Sequence, residues 1–370
     1  MRNQSARKTS AVVQSIAELM KTRNKPPVLS PMGAVARPGS LIFPDGRAYL
    51  DLFSGPIVKR SPARVHRMGL LNRLLGRCCL RKVMTDADAG FDVSVVSYPM
   101  KVDLPAWGVV TDAVGRSFSA TVAEDGTLEL SYQGGLCHSK ADWAMSVRRD
   151  WAHEADRVGH FYRKARQLAG ERTVVAGTLG FGLWDALWMS FDLMQARHLV
   201  SIDPNFVQTV FDHWMRYHIA AVRAMMDAGI STIFYNEHSD GFPVDGDTAE
   251  WLDPLLGEYL RELTAIVRFR GGCTFFSCNA NEMLETDYPI RWGFDGIGPM
   301  LFRDGEDLVA AAQSLSEDLF LVGSVSIPSA NESVATPGGP SAHIIRSALR
   351  TALADPIDAA RRAGCLNPTA

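Results

Sequence analysis

No stretch of this 370-residue chain approaches eighteen consecutive apolar residues, so nothing in it reads as a membrane-spanning helix. The basic opening MRNQSARKTS runs into AVVQSIAELMKTRNK, too polar for the apolar core of a signal peptide, and the expected location is cytoplasmic. Basic clusters are lacking as well. The 38 Lys and Arg residues are scattered against 41 Asp and Glu, for a net charge of −3, which leaves no nucleic-acid footprint and points to a small-molecule partner. There are six cysteines (Cys78, Cys79, Cys137, Cys273, Cys278 and Cys365), with no CxxC pair and no framework spacing, so they are expected to be free thiols or ligands. His153 and His160 stand seven apart in HEADRVGH, not as the HExxH pair that puts two imidazoles on one helix face, and are read as helix-surface residues. Cys137-His138 is assigned no role. Internal repeats and low-complexity segments are absent.

What is present is ordinary globular usage: 46% hydrophobic and 21% charged residues suffice for a sizeable core. From 170 to 355 short apolar runs alternate with long amphipathic ones. The strands expected are RTVVAGTL (172–179), STIFYN (231–236), CTFFSC (273–278), GFDGIGPM (293–300) and LFLVGSVSI (319–327). Between the first two lies the clearest helix, Asp203 to Gly229. Asp203 suits the N-cap, Pro204 the first turn and Gly229 the end, with Phe206, Val207, Val210, Phe211, Trp214, Ile219, Val222 and Met226 three or four apart. Further helices are expected from Pro254 to Phe269, near 305–315 and near 341–354. Strand and helix in alternation imply parallel strands with right-handed crossovers, hence a doubly wound sheet or a closed (β/α)8 barrel. The segment 105–132 alternates around Asp125-Gly126 like an antiparallel hairpin, and RPGSLIFPDGRAYLDLFSGP reads as loops.

In both α/β folds chemistry collects where parallel strands end. The 231–236 strand delivers Asn236, Glu237, His238, Ser239 and Asp240, and two carboxylates flanking an imidazole make an acid/base set or part of a metal site. The alternative is a Ser-Asp-Gly turn with Glu237 as a helix cap. The next strand delivers Cys278, Asn279 and Asn281: a ligand or nucleophile with polar neighbours, or a cysteine packed as a small hydrophobe. The 172–179 strand runs into Gly180-Phe181-Gly182, a loop that would let backbone approach a ligand. The dinucleotide fingerprint fails there, because Asp185 stands where the third glycine belongs and no P-loop lysine follows. Phe181 and Trp184 are either an aromatic wall for a substrate or core residues.

In order along the chain, GFGLWDALWMSFDLMQARHLVSIDPNFVQTVFDHWMRYHIAAVRAMMDAGISTIFYNEHSDG, CTFFSCNANEM, GFDGIGPM and LFLVGSVSI resemble the uroporphyrinogen decarboxylase superfamily. The resemblance is nearest to its branch of zinc-dependent, corrinoid-linked methyltransferases and demethylases, and WGVVTDAVGRSFSATVAEDG is similar to a hairpin of that branch. It covers about 100–330. It implies one (β/α)8 barrel domain over 1–370, with an N-terminal extension and loops (1–60), an antiparallel hairpin decoration (100–135) in the N-terminal half and a pocket at the carboxyl edge.

In that branch the strand matching 273–278 ends in His-x-Cys-Gly, and a later Gly-Cys-x-x-Pro completes a zinc site. Cys278 matches the first cysteine and Cys365, in AGCLNPT, the second, while Phe276 stands at the histidine position and Asn279 at the glycine. Glu237 or His238 would then replace the imidazole. The arginine-rich N-terminal segment of the decarboxylase proper, which pairs with substrate carboxylates, has no counterpart in 1–60. The resemblance therefore implies a methyltransferase or demethylase moving a methyl group between a small substrate and a corrinoid protein or a thiol. Glu237, His238 and Asp240 would be acid/base groups, with Glu237 also a candidate metal ligand. Cys278 and Cys365 would be zinc ligands, and Gly180, Phe181, Trp184, Asn279 and Asn281 substrate contacts. The competing readings are a metal-free decarboxylase-like lyase and a ligand-binding barrel that has lost the metal histidine.

Overall fold

The computed structural model describes residues 28–30, 33–36, 40–43, 79–80, 83–84, 87–88, 93–98, 102–106, 109–122, 128–146, 151–171, 173–237, 246–277, 287–302 and 319–325, and among these the periodic apolar runs resolve into strands of two sheets and the helices named below. The strands are β1 (Val28–Ser30), β2 (Gly33–Ala36), β3 (Ser40–Phe43), β4 (Val93–Ser97), β5 (Val102–Ala106), β6 (Val109–Asp112), β7 (Arg116–Val122), β8 (Leu128–Gly135), β9 (Val174–Leu179), β10 (Thr232–Asn236), β11 (Cys273–Ser277), β12 (Gly296–Phe302) and β13 (Phe320–Val325). The helices are α1 (Lys140–Ser146), α2 (Trp151–Ala169), α3 (Leu183–Phe191), α4 (Leu193–Ile202), α5 (Pro204–Asp227), α6 (Gly246–Phe269) and α7 (Tyr288–Arg291).

The larger sheet has the order β1-β2-β3-β13-β12-β11-β10-β9-β4. Its ladders from β4 through β9, β10, β11, β12 and β13 to β3 are all parallel, and only β1–β2 and β2–β3 are antiparallel. Sequential strands joined by helices are therefore neighbours, as right-handed crossovers require. The two ends of the sheet approach one another, β1 coming within 8 Å of β4, with no hydrogen-bonded ladder between them among the described residues. A separate antiparallel sheet, β5-β6-β7-β8, occupies the region expected to be one hairpin. The expected hairpin is its β7–β8 pair, joined in register from Val122↔Leu128, and β5 and β6 extend it because Val109–Thr111 pair with Ser117–Ser119.

α5 starts and stops as its sequence predicts. The Asp203 side chain accepts from the Phe206 amide at 3.1 Å, Pro204 fills the first turn, and Gly229 follows at φ +82°. Val207, Val210, Phe211, Trp214, Ala221 and Val222 are fully buried against the sheet. α6 differs from its prediction, beginning at Gly246 with Pro254 inside it. Local propensity opposes an interior proline, but Leu256, Leu260, Leu263 and Val267 bury a continuous face, and Asp253 is held by the Trp292 indole at 2.6 Å and by Arg291 at 3.1 Å. SLIF forms the short strand β3 beside β13 rather than a loop, its four residues being too few to show a period. The helices expected near 305–315 and 341–354 lie outside the described residues. His153 and His160 are both exposed on α2, as read from their spacing.

Removing the α5 cap tests this account of the helix. Asp203→Ala is expected to lower stability by about 1 kcal/mol, the usual worth of an N-cap, and to shift the urea midpoint with the slope unchanged.

Candidate functional site at the strand ends

β9, β10 and β11 end side by side. Asn236 is in register with Ser277, and the Glu237 amide donates to the Ser277 carbonyl at 2.8 Å. The Asn236 side chain ties β10 to β9 by donating to Thr178 Oγ1 and to the Leu179 carbonyl. Gly180, Phe181 and Gly182 then lead from β9 into α3.

The first amides of α3 need acceptors, and Gly182 at the N-cap has no side chain to supply one. β10 supplies them instead. The Glu237 carboxylate accepts from the Trp184 amide at 3.2 Å on Oε1 and from the Asp185 amide at 2.9 Å on Oε2. The Tyr235 hydroxyl accepts from the Leu183 amide at 2.7 Å and donates to Glu237 Oε1 at 2.8 Å. A β-carbon at position 182 would lie 2.0 Å from the Glu237 carboxyl carbon, so only glycine lets the loop come this close. The favourable end of the helix dipole therefore faces a side-chain carboxylate of the protein itself.

Electrostatics oppose this geometry. Burial raises the Glu237 pKa well above its ordinary value, and the Asp185 carboxylate adds to the rise, against the three hydrogen bonds that lower it. Burial, then Glu237, raises Tyr235. Asp185 is itself buried, accepting from the Trp188 indole at 2.9 Å. Behind the pair lies His218, fully buried, with no well-aligned hydrogen bond to either ring nitrogen among the described residues. Burial takes its pKa down to about 3, with the Phe181 backbone and Asp185 pulling the other way, so it is a neutral imidazole.

A second polar group sits at the end of β4. The Tyr98 hydroxyl donates to Glu154 Oε1 at 2.9 Å, and Arg157 holds the other carboxylate oxygen at 3.1 Å. From the antiparallel sheet, Arg116 is paired with Asp112 at 2.6 Å and lies over the Phe181 ring at 5.8 Å, which fastens that sheet to the loop before α3.

Of the sequence-predicted residues, the structure brings Glu237, Gly180, Phe181 and Trp184 together. Gly180 is half-buried beside Ser97, and the Phe181 and Trp184 side chains are buried. His238, Asp240, Cys278, Asn279, Asn281 and Cys365 lie outside the described residues. Sequence reasoning missed Tyr235, Asp185, His218, Tyr98 and Glu154. Two of these carry a readable signal: Tyr235 is two residues before Glu237 on the same strand face, and Asp185 holds the third helical position, where capping carboxylates recur.

The described residues do not themselves make a zinc site. Phe276, at the family's histidine position, is fully buried with its ring 5.2 Å from Phe294 and 5.4 Å from Trp292, and stacks on Tyr235. Both Glu237 oxygens are engaged by donors, and no group of three His, Cys, Asp or Glu side chains is placed to hold a metal among the described residues. No helix there is long and apolar enough to cross a membrane.

No family model matches the chain, and no curated protein matches it. Among solved structures, a methyltransferase from Methanosarcina mazei superposes with a TM-score of 0.51 at 13% identity, over 92% of this chain and 97% of that one. A B12-independent methionine synthase from Shewanella sp. W3-18-1 gives 0.36 at 12% identity, over 91% and 99%. A D-psicose 3-epimerase gives 0.34 at 10%, over 76% and 92%. The first of these likenesses establishes a shared fold along nearly the whole chain.

Two variants test the site geometry. Gly182→Ala is expected to destabilise by about 1–3 kcal/mol, as overpacking does, in chemical denaturation. Glu237→Gln turns an amide donor toward a backbone donor, at a cost of about 1–3 kcal/mol. It also changes the pH profile. Between the ordinary value of 4.5 and the raised folded value, the folded wild type binds more protons than the unfolded chain, so its stability falls as pH rises above 4.5. The Gln variant lacks that slope; equal slopes would contradict the raised carboxyl.

Proposed function

We propose that this chain is a methyltransferase-like enzyme on a (β/α)8 barrel, moving a methyl group between a small methylated substrate and a corrinoid protein or a thiol. One observation carries the reading. Two adjacent parallel strands end in register, with Asn236 opposite Ser277, and in the sequence Glu237 follows the first and Cys278 the second. By chain order a carboxyl residue follows one strand end and a thiol residue the next, at the edge where barrel chemistry collects. The likeness to a methyltransferase fold over 92% of the chain supports the same reading.

In this reading His238 and Asp240 move protons at the substrate, Asn279 and Asn281 orient its polar groups, and Gly180 leaves room beside the β9 end. Glu237 and Tyr235 hold the α3 start so that the loop neither swings nor admits water. Zinc, when bound, would hold Cys278 as a thiolate, with Cys365 and His238 as further ligands.

A metal-free lyase is favoured by the raised Glu237 pKa, since a carboxyl that holds its proton more tightly than usual suits protonation of the carbanion left by loss of carbon dioxide.

One experiment separates the two. The wild type and Cys278→Ser are assayed with a panel of methylated amines, thiols and ethers for methylation of cob(I)alamin, with zinc measured on the same samples by elemental analysis. The methyltransferase reading predicts methyl transfer and about one zinc per chain, with transfer falling at least about 100-fold in Cys278→Ser. Transfer of equal rate in both proteins would sink it. Carbon dioxide release from a parallel panel of small carboxylic acids, abolished by Glu237→Gln, with no zinc in either sample, would select the lyase.

A further inference from the structure

We propose a second binding site, at the opposite, amino-terminal end of the parallel sheet, for a small zwitterion of the α-amino-acid type. A pocket of about 430 Å³ opens there between the C-terminal ends of α2 and α5 and the starts of β9 and β10. Its walls include Arg163, Arg166, Gln167, Glu171, Val174 and Ser231. The volume falls within the range of about 300–1,000 Å³ usual for small-molecule sites.

Arg166 is built into this pocket. Its Nη1 donates to the Ala228 carbonyl at 2.9 Å, and the chain turns beneath it at Gly229, where φ is +82° and a β-carbon would lie 1.9 Å from Nη1. The turn is thus shaped around the guanidinium. Neither Arg166 nor Arg163, one helical turn earlier, has a carboxylate partner among the described residues, and Glu171 has no cationic one.

Charge selects the ligand. Among the described residues the two arginines contribute about +2 and Glu171 about −1, while the C-terminal ends of two helices add roughly −0.5 each, so these groups are near neutral in sum but strongly divided. A simple anion meets the guanidinium groups and is repelled by Glu171 and the helix ends. A simple cation meets the reverse. A molecule carrying both charges a few atoms apart satisfies both halves: its carboxylate takes the planar forks of Arg163 and Arg166, and its ammonium takes Glu171 and the helix-terminal carbonyls. Val174 and Val175 offer an apolar wall to a side chain.

Calorimetric titration of the full chain tests this with L-leucine, L-lysine, L-serine and L-glutamate as probes, and N-acetyl-L-leucine, L-leucinamide and inorganic phosphate as controls. The expected result is binding of at least one free amino acid, with its N-acetyl or amide counterpart and phosphate bound much more weakly. Arg163→Ala and Glu171→Gln, both at exposed side chains, should each weaken that binding about tenfold or more. Arg166 is left in place because it also closes the end of α5. Binding of none of the four amino acids would overturn the proposal. So would equal binding of phosphate or N-acetyl-L-leucine, or affinity unchanged in both variants. None of these outcomes bears on the carboxyl edge.

Discussion

The carboxylate of Glu237, seated on the first turn of α3, is the interaction on which the carboxyl edge of this protein depends. Helix amides at a buried N-terminus must find acceptors, and the residue that would ordinarily offer one is a glycine. The acceptors come instead from the neighbouring strand, through Glu237 directly and Tyr235 beside it. Strand β10 and the loop after β9 are therefore one unit, which Asn236 extends sideways and Arg116 ties to the antiparallel sheet. A site at this edge stands on backbone that cannot drift independently.

The same interaction is electrostatically tense. Burying an ionised carboxylate costs several kcal/mol, and two amides at a helix N-terminus with the Tyr235 hydroxyl return an amount of the same order. With such terms nearly balanced, a second carboxylate decides the outcome, and Asp185 lies close enough to raise Glu237 further. The neutral His218 behind them offers no compensating charge. A carboxyl group held in this way anchors the helix start while its pKa stays raised.

Much of this was legible in the sequence where a signal is local. Asp203-Pro204 and Gly229 bracket α5 because capping and positive φ are properties of single residues, and the apolar runs of β10 and β11 are buried on every residue and that of β9 on all but its first, as strands covered on both faces are. Strand-end logic led to Glu237 before any geometry. It did not show what Glu237 does, because its partners Trp184 and Asp185 are more than fifty residues away and bind through their backbone amides, which leave no mark on residue type. Tyr235 was hidden for the opposite reason: in an apolar strand its ring reads as core, and only its hydroxyl matters here. The four-strand sheet was half visible, since Asp125-Gly126 announces one turn while β5 and β6 carry no comparable signal. Pro254 misled because a proline early in a segment looks like a helix start, whereas tertiary packing carried the helix eight residues further back.

Hydrogen exchange at the amides of Trp184 and Asp185, in the wild type and in Glu237→Gln, tests the central claim most directly. If the carboxylate anchors α3, both amides are strongly protected in the wild type, and Glu237→Gln exposes them while protection elsewhere in α5 and β9 is kept. Equal protection in the two proteins would contradict the account, because the start of α3 would then be held by something other than Glu237.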